Sequence, residues 1–585
     1  MTDRASSSTI GLLSELIDRL RAATEPVIVI ADELVVSAAA ISPVAEDSFA
    51  GTSAMVVADG SGDLRVLHHQ VVSAGTSFHN VGAPTHRSIG VVRISVADAP
   101  SAAAALTTLR DHVAHDELIV PPAQFPELVL VALVRSGVAV RAVGLVDVPW
   151  FRGAQDAPDA QQLVDAIPVD RIRRLQANRI DDGFYSTFVV RKASKPLTRL
   201  ALSLGLTPNT ITVISFVVGI ASACAFAGGT FWWLLLGAVL LQLSLIIDCV
   251  DGEVARATRQ FSALGAWLDA STDRVKEFAV YGGLAVGAAR LGNDVWWLVL
   301  VLITLQTFRH MGDYDFARVQ RLREAIVPVR SLLDPSDGNA ISAGLSVATA
   351  MQASRSMNRS SIVRWAKKVI HMPIGERWLL ISVVAVVAGP AWALVALLIA
   401  GLIALGYVLV GRTLRTFTWH EPLVSSGVQF LREQIDLGPL GSTIASAFPE
   451  TLRTRILSAR WGWAIPALLR LLELGAVTAL VLALFPDAEV VGYVWLFVVA
   501  YHHYDTLYRA LNGASVPRWI AWTGLGWDGR LIVVAAMVLF AGSASTFASG
   551  LLVMAVALFI LFVPVASGQW LLSNRDSNRV VGGEL

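Results

Sequence analysis

The feature that most constrains the fold of this chain is a series of apolar runs that occupies roughly its last two thirds. The runs lie at about 210–228, 231–247, 275–290, 294–309, 377–390, 391–411, 462–485, 489–508, 529–544 and 547–566. Because hydrocarbon offers no hydrogen bonds to a backbone, runs of this kind cross a bilayer as helices. The composition agrees, with 54% hydrophobic and 16% charged residues. We therefore predict a polytopic α-helical membrane protein of about ten spans.

The first 170 residues differ in pattern and predict a separate domain. Short β-rich runs alternate there with Ala-rich helical stretches such as 101–114. The β-rich runs lie at 27–32, 54–59, 88–96, 127–134 and 139–148. This alternation is typical of an α/β domain with a mostly parallel sheet. The N-terminus shows no signal-peptide pattern, so we expect this domain in the cytoplasm.

The basic residues between the apolar runs predict an orientation. With the N-terminus inside, the cytoplasmic loops would be 248–274, 310–376, 412–461 and 509–528. These loops carry nearly all of the flanking Lys and Arg, whereas the outer turns are short and hold few charges. The positive-inside rule is met. We therefore expect a multi-pass protein of the plasma membrane.

One polar stretch after the second run, residues 248–273, carries four aspartates at helical spacing. Asp248 and Asp251 are three residues apart, and Asp269 and Asp273 are four apart, so each pair shares one helix face. Four carboxylates beside a bilayer are costly unless cations neutralise them. An all-oxygen site suits Mg²⁺ or Mn²⁺, and two such ions could clamp a pyrophosphate.

The residues between the aspartates extend this site. Ala255 and Arg256 continue the face of the first pair, and Arg256 is available for a phosphate. Gly252 and Gly265 leave room for a backbone or a ligand to come close. The alternative is an acidic helix-turn-helix at a membrane surface, in which this spacing arose by chance.

The complete spacing, D-x2-D-G-x2-A-R-x8-G-x3-D-x3-D, resembles at every fixed position the signature of the CDP-alcohol phosphatidyltransferases. Those integral membrane enzymes move a phosphoryl-alcohol unit from a CDP-linked donor to a hydroxyl acceptor and release CMP. The resemblance implies a six-helix core. We accordingly divide the chain into an N-terminal domain (1–170), a basic juxtamembrane segment (171–205), the transferase core (206–415), a cytoplasmic connector (416–460) and additional helices (461–585).

The resemblance also implies roles for individual residues. Asp248, Asp251 and Asp269 would hold a first ion, and Asp248 and Asp269 would share a second ion with Asp273. Asp273, nearest the acceptor, would be the general base. The residues expected to contact the CDP-alcohol are Gly252, Ala255, Arg256, Gly265, Asn209 and Thr212.

The substrates are less closely defined by the sequence. The end of a long loop at 311–376 places Lys367, Lys368 and Arg377 at the mouth of the core. They are candidates to bind a phosphorylated acceptor, although anchoring of the fifth span explains them equally. We expect a polyol or inositol phosphate as acceptor, and CDP-diacylglycerol or a soluble CDP-alcohol as donor. A glycerol phosphate acceptor or an amino-alcohol donor stays open. We expect membrane lipid and a second copy of the chain as partners, and no nucleic acid.

The N-terminal domain resembles sugar-phosphate nucleotidyltransferases in its closing stretch, residues 148–167. No Gly-rich phosphate loop precedes the first β-rich run, so little would hold a nucleotide. Asp32 could mimic a metal-binding aspartate of that family. We predict a degenerate, non-catalytic domain with a docking or regulatory role.

The last four runs lie outside the resemblance and contain a polar group. Its members are Tyr501, His502, His503, Asp505 and Arg509, with Asp528 and Arg530 on the next run. Ionisable residues at membrane depth suggest a metal site or a proton path. An Asp505–Arg509 pair and interhelical hydrogen bonds would explain them as a packing or dimerisation module. Rival functions for the chain are a transporter or flippase, and an assembly scaffold with a vestigial site.

Overall fold

The computed structural model describes most of the chain, which divides into two compact units. The described residues are 2–45, 51–60, 62–67, 69–115, 117–118, 121–153, 157–176, 183–258, 260, 262–324, 329–336, 361–419, 422–512 and 514–582. The N-terminal unit comprises Met1–Asn178 and Gln320–Gly344. The membrane unit comprises Arg179–Val319 and Leu345–Leu585. Within the long loop at 311–376, residues 325–328 and 337–360 lie outside the described residues.

The N-terminal unit packs helices on a sheet. Its helices are α1 (Thr2–Arg21), α2 (Ala38–Ala45), α3 (Ala99–Ala114), α4 (Phe125–Arg135), α5 (Ala157–Asp165) and α6 (Val169–Gln176). Its strands are β1 (Val27–Ile30), β2 (Leu34–Val35), β3 (Ser53–Ala58), β4 (Leu64–Leu67), β5 (Gln70–Ala74), β6 (His86–Ile94), β7 (Val140–Gly144) and β8 (Phe151–Arg152). Six described strands form one sheet in the order β1-β6-β3-β7-β5-β4, and β2 pairs with β8. The helix expected at 101–114 is confirmed as α3.

The prediction of a mostly parallel sheet is wrong. Among the described strands β3 and β7 pair in parallel, whereas β6 runs antiparallel to β1 and β3, and β5 runs antiparallel to β4 and β7. Connection length explains the difference. For the neighbours β4 and β5 only two residues separate the strands, while parallel neighbours need a crossover of a dozen or more residues. This unit is therefore an α+β fold rather than the expected α/β domain.

The apolar run at 127–134 is also corrected, because it forms the interior of α4 rather than a strand. Every residue from Glu127 to Val134 is buried. A segment that is buried on all sides has no alternation by which a strand could be told from a helix. Pro126, in the first turn, favours the start of a helix.

A segment from beyond the fourth apolar run completes the core of the N-terminal unit. We call residues 329–336 the strap. Its Leu332 is 5% exposed and packs among the buried side chains of the helices and sheet. The Nε2–H of His79 donates to the Leu332 carbonyl at 2.7 Å. Arg135 donates to three further carbonyl oxygens of the strap, those of Ser331 (2.7 Å), Asp334 (2.6 Å) and Ser336 (3.1 Å).

The membrane unit has a helix at each predicted apolar run. Its described helices are α7 (Arg191–Ser203), α8 (Pro208–Phe226), α9 (Phe231–Thr258), α10 (Ala263–Arg290), α11 (Trp296–Glu324), α12 (Ser361–Ile370), α13 (Ile374–Ala388), α14 (Pro390–Thr416), α15 (Ser425–Glu433), α16 (Pro439–Ser446), α17 (Glu450–Ser458), α18 (Ala464–Leu484), α19 (Glu489–Leu511), α20 (Arg518–Thr523), α21 (Gly526–Phe540) and α22 (Ala544–Gly582). Single turns of other helix types are Pro122–Gln124, Ser186–Val190 and Pro486–Ala488. The chain is thus a helical membrane protein.

Six candidate spans among the described residues are long and apolar enough to cross a membrane. They are Pro208–Phe226, Phe231–Thr258, Pro390–Thr416, Ala464–Leu484, Trp519–Phe540 and Ala544–Leu572. The helices α10, α11 and α19 carry more polar residues, and α13 has 15 residues. Helices packed inside a bundle tolerate such residues, so these four helices are not excluded as spans. The count of about ten spans stays a prediction.

Helices α8, α9 and α10 pack together and position the polar stretch. Ser215 of α8 and Ser244 of α9 each donate to the other's backbone carbonyl, at 3.0 and 2.8 Å. The backbones of α8 and α10 come close at Gly283, where a Cβ would lie 2.2 Å from the carbonyl oxygen of Ala223. This close approach requires glycine at position 283.

Candidate active site

Three of the four aspartates converge. Asp248 and Asp251 of α9 and Asp269 of α10 each offer a carboxylate oxygen within 4.8 Å of the others. All of these donors are oxygens, the ligands that hard divalent ions such as Mg²⁺ and Mn²⁺ prefer. The residues therefore fit a divalent ion.

The local sequence explains why both helices reach this point. Helix α9 continues past its apolar run to Thr258, which keeps Asp248 and Asp251 on one helical face. Helix α10 begins after Ser262, whose hydroxyl accepts from the Gly265 N–H at 2.9 Å. This cap satisfies a backbone donor that the first helical turn leaves open. Asp269 lies on the second turn of the helix that starts there.

Side chains of α8 hold two of the carboxylates. The Thr212 hydroxyl donates to Asp251 Oδ2 at 2.6 Å. The Ser215 hydroxyl lies 3.1 Å from Asp248 Oδ1. Such outer contacts orient a ligand before an ion binds. Thr212, which we expected to contact the CDP-alcohol, thus contacts a carboxylate of the aspartate cluster.

Asp273 lies beside the group of three aspartates rather than within it. It is half-buried, and its Oδ1 forms an ion pair with Lys276 Nζ at 2.9 Å. The same ammonium donates to Asp248 Oδ1 at 2.6 Å. Lys276 was not among the predicted site residues, although it continues the face of Asp269 and Asp273 by one turn of α10.

The remaining motif residues lie in two close pairs. A Cβ on Gly252 would come 3.1 Å from Arg256 Nη1, so the guanidinium lies over this glycine. A Cβ on Gly265 would come 2.9 Å from Asn209 Oδ1. Ala255 is half-buried on α9 between the members of the first pair. Their roles toward a CDP-alcohol stay predictions.

Two family models match parts of this chain. Residues 205–324 match the model described as CDP-alcohol phosphatidyltransferase. This segment is a CDP-alcohol phosphatidyltransferase domain. It contains α8 to α11 and the whole aspartate motif. Residues 429–581 match a family of unknown function, DUF5941.

Curated relatives of the transferase domain match over part of their length. The bifunctional IPC transferase and DIPP synthase of Aquifex aeolicus is 32% identical over 152 residues, which are 25% of this chain and 34% of the relative. The phosphatidylinositol phosphate synthase of Mycolicibacterium smegmatis is 35% identical over 130 residues, 22% of this chain and 57% of the relative. For the archaetidylinositol phosphate synthase of Pyrococcus horikoshii the identity is 32% over 113 residues, 19% and 58% of the two chains. The chain thus spans between about a third and three fifths of these relatives.

The candidate acceptor cations lie on α12 and α13, beyond the transferase domain in sequence. Lys367 and Lys368 lie on α12, and Lys368 Nζ is 5.0 Å from the Trp365 ring centroid. Arg377 was predicted at the mouth of the core, but it is buried and only 2% exposed. Its Nε donates to Glu277 Oε1 at 2.8 Å, and its Nη1 donates to the Met372 carbonyl at 2.7 Å. Arg377 is therefore an internal counter-ion.

A buried charge network lies behind Asp273 and was not predicted. Glu277 is fully buried on α10 and binds Arg377 as well as Arg274, whose Nη1 lies 2.5 Å from Glu277 Oε2. The Tyr281 hydroxyl donates to Glu277 Oε1 at 2.7 Å. Arg377 contacts Glu277 from α13, 100 residues further along the chain. A local sequence motif therefore does not reveal this contact.

A second unpredicted contact ties the juxtamembrane helix α7 to the domain. Glu253 follows Gly252 in the motif and accepts hydrogen bonds from Arg191 and Ser194 at 2.8 Å each. Thr198 donates to its other oxygen at 2.5 Å. In the sequence, this contact was indicated only by an acidic residue within the motif, Glu253, and a basic residue before the first span, Arg191.

The C-terminal polar group forms buried interhelical contacts. The expected Asp505–Arg509 pair is present at 2.6 Å. Asp505 Oδ1 also accepts from the indole N–H groups of Trp267 (3.1 Å) and Trp570 (3.0 Å). Because Trp267 lies on α10, this carboxylate connects the transferase domain to α19 and α22.

Further ion pairs of this group join the connector to the last helices. Arg530 donates to Glu473 at 2.6 Å and to Asp436 at 2.7 Å. His503 Nε2 is 2.7 Å from Glu473, and His502 Nε2 is 3.3 Å from Asp436. Paired partners of this kind agree with the packing interpretation.

The N-terminal unit contains a wide cavity that Asp32 lines. Its volume is about 1380 Å³, and Asp63, Glu127 and Arg152 also line it. Arg152 donates to both oxygens of Glu127 at 2.6 and 2.8 Å, and this contact raises the pKa of Arg152. Burial raises the pKa of Asp63, although the Ser88 N–H that it accepts acts in the opposite direction. The resemblance of this unit to nucleotidyltransferases stays a prediction.

Proposed function

We propose that this chain transfers a phosphoryl-alcohol group from a CDP-alcohol to a hydroxyl acceptor and releases CMP. The observation that carries the proposal is the convergence of Asp248, Asp251 and Asp269 within 4.8 Å in a CDP-alcohol phosphatidyltransferase domain. An inositol phosphate is the acceptor we favour, because two relatives are phosphatidylinositol phosphate and archaetidylinositol phosphate synthases. The donor would be CDP-diacylglycerol or a soluble CDP-alcohol.

In the proposed reaction the acceptor oxygen bonds to the phosphorus that carries the donor's alcohol. The bond from this phosphorus to the bridging oxygen breaks, and CMP leaves with the electron pair. The hydroxyl proton passes to Asp273, which follows Asp269 by one turn of α10. Arg256, held over Gly252, would bind a donor phosphate.

The proposed reaction depends on a divalent ion, Mg²⁺ or Mn²⁺. When bound, such an ion offsets the charge of the pyrophosphate and of the leaving CMP. Asp248, Asp251 and Asp269 would hold it, and Thr212 would orient Asp251 for this purpose. A second ion shared with Asp273 was expected from the resemblance and stays a prediction.

We also propose the setting of this reaction. The charge pattern supports a plasma-membrane location with the site and the N-terminal unit on the cytoplasmic face. Lys367 and Lys368 are the remaining candidates to bind an acceptor phosphate. A homodimer is proposed from the resemblance, with the N-terminal unit in a docking or regulatory role.

CMP release by the purified chain in detergent with Mg²⁺ tests the proposal. CDP-diacylglycerol and soluble CDP-alcohols are paired with a panel of polyol phosphates that includes inositol phosphate. Metal-dependent CMP from one pair is expected, and that pair identifies both substrates. Asp269→Ala should abolish the signal because it removes a ligand, whereas Asp487→Ala, which removes an exposed carboxylate, should not.

Other outcomes would favour the rival functions. Movement of substrate across vesicle membranes without CMP release would indicate a transporter. If CDP-linked donors neither bind nor react, a vestigial site in a scaffold would be the better explanation. Equal CMP release by Asp269→Ala and the wild type would exclude the aspartate cluster as the reaction centre.

A further inference from the structure

A buried ammonium lies within the aspartate cluster. Lys276 is 0% exposed. Its Nζ lies 2.6 Å from Asp248 Oδ1, 2.9 Å from Asp273 Oδ1 and 3.0 Å from the Ser215 hydroxyl. On α10 it follows Asp273 by three residues and Asp269 by seven, which places all three on one face.

The surrounding helices are shaped for this side chain. A Cβ on Gly219 of α8 would come 2.6 Å from Lys276 Cδ and 2.7 Å from Cγ, so the stem requires glycine there. The ammonium lies 5.4 Å from the ring centroid of Trp378 on α13, within the range of a cation–π contact. Lys276 is thus held along its length by three neighbouring helices and reaches Asp248 in a defined position.

This ammonium takes the oxygens that a second metal ion would need. An ion shared with Asp273 would have to use carboxylates that Lys276 already binds, those of Asp248 and Asp273. A divalent ion bound to the same oxygens would lie within a few ångströms of the ammonium. Two like charges at that distance repel strongly in a partly buried site. Asp248, Asp251 and Asp269 converge without Asp273 and offer carboxylate ligands for one ion.

We propose that Lys276 supplies the second positive charge of this centre, so that the chain binds one divalent ion where two were expected. The ion would lie at Asp248, Asp251 and Asp269, with the ammonium fixed on the side of Asp273. The inference rests on the proposed function in that it concerns the ions of the same site. A donor pyrophosphate would then meet one metal ion and one ammonium group.

Counting bound Mn²⁺ tests this inference without any turnover. The full chain in detergent is titrated with Mn²⁺ alone, and free Mn²⁺ is followed by electron paramagnetic resonance. One ion per chain is expected after subtraction of the ions that Asp269→Ala binds. Lys276→Met keeps the apolar stem over Gly219 but removes the charge, and it should bind a second ion. An unchanged count of one in a folded Lys276→Met chain would contradict the proposal.

The spectrum of the wild type gives a second readout that needs no variant. Two Mn²⁺ ions about 3.5–4 Å apart would show spin coupling, whereas one isolated ion shows an uncoupled spectrum. Two ions or none in the wild type would overturn the inference. CMP release with two coupled ions would refute it and leave the proposed function intact. One bound ion without CMP release from any substrate pair would support it and count against the proposed function.

Discussion

Thr212 donates a hydrogen bond to one carboxylate of the proposed metal site. Replacing it with valine keeps the shape of the side chain but removes the 2.6 Å hydrogen bond to Asp251. We expect the Mg²⁺ concentration for half-maximal CMP release to rise by about 10- to 100-fold, as for other outer contacts of metal ligands. Thr210→Val is the matched control, because Thr210 is exposed on the same helix and bonds to Thr207. Equal Mg²⁺ dependence of the two variants would contradict the assignment.

Asp273 is proposed to take the acceptor proton. Asp273→Asn keeps the size of the side chain but cannot accept that proton, so kcat should fall by about 100-fold or more. Binding of the CDP-linked donor should persist, because the three converging aspartates remain. Single-turnover CMP release and donor binding by calorimetry separate these effects. Near-normal turnover by Asp273→Asn would show that another group is the base.

The sequence predicted the three aspartates that converge better than the residues that contact them. The four aspartates follow local helical spacing, which a sequence shows directly. Lys276 obeys the same spacing and could have been found by extending the face of Asp273 one turn. Ser215 and Trp378 reach the site from helices that are distant in sequence, and no local pattern marks them. Supporting contacts of that kind depend on how helices pack.

At the scale of elements, one carboxylate anchors α10 to the C-terminal helices. Trp267→Phe and Trp570→Phe each remove one indole N–H donor to Asp505 while keeping an aromatic ring. Each should lower the free energy of unfolding by about 1.5–3 kcal/mol, the usual value for a hydrogen bond to a charged group. Thermal unfolding in detergent measures both. Trp232→Phe is a control, because its ring is exposed. A loss no larger than that of the control would exclude an anchoring role.

The strap that completes the N-terminal unit should respond to pH. Burial lowers the pKa of His79 below its ordinary value of 6.5, and Arg135 acts in the same direction, whereas the Leu332 carbonyl and Asp334 oppose it. Below about pH 6.5, His79 therefore gains a proton when the strap is released, and the docked state resists this protonation, so docking weakens. Above that pH the stabilisation is complete. Hydrogen exchange of residues 329–336, corrected for intrinsic rates, should quicken at about pH 5.5 relative to 7.5.

A matched variant isolates the histidine. His79→Gln can still donate to the Leu332 carbonyl but has no group that titrates in this range. We expect its exchange at the strap to lose most of the pH dependence. The same pH dependence in His79→Gln and in the wild type would assign the effect to another group.

Helix positions were predictable from the sequence, whereas strand pairing was not. Apolar runs report burial along one segment, and each predicted run contains a helix. The order and direction of strands depend on contacts between distant segments, so the parallel sheet was predicted wrongly. The run at 127–134 failed for a related reason, because complete burial erases the period that separates strand from helix.

At the scale of the whole molecule, the strap restricts how the chain can cross a membrane. Leu332 and the residues around it share one core with residues from the first 178. A single folded core lies on one side of a bilayer. The chain between residues 178 and 329 must therefore cross an even number of times. Crossing by each of α8 to α11, as the apolar runs predict, would meet this requirement.

The strap also sets an order of events during synthesis of the protein. The ribosome makes the N-terminal residues first, but Leu332 and the carbonyl oxygens that Arg135 binds emerge only after α8 to α11. The N-terminal unit must therefore wait, with part of its core open, while helices α8 to α11 are made. Its final packing can report that the transferase helices are in place.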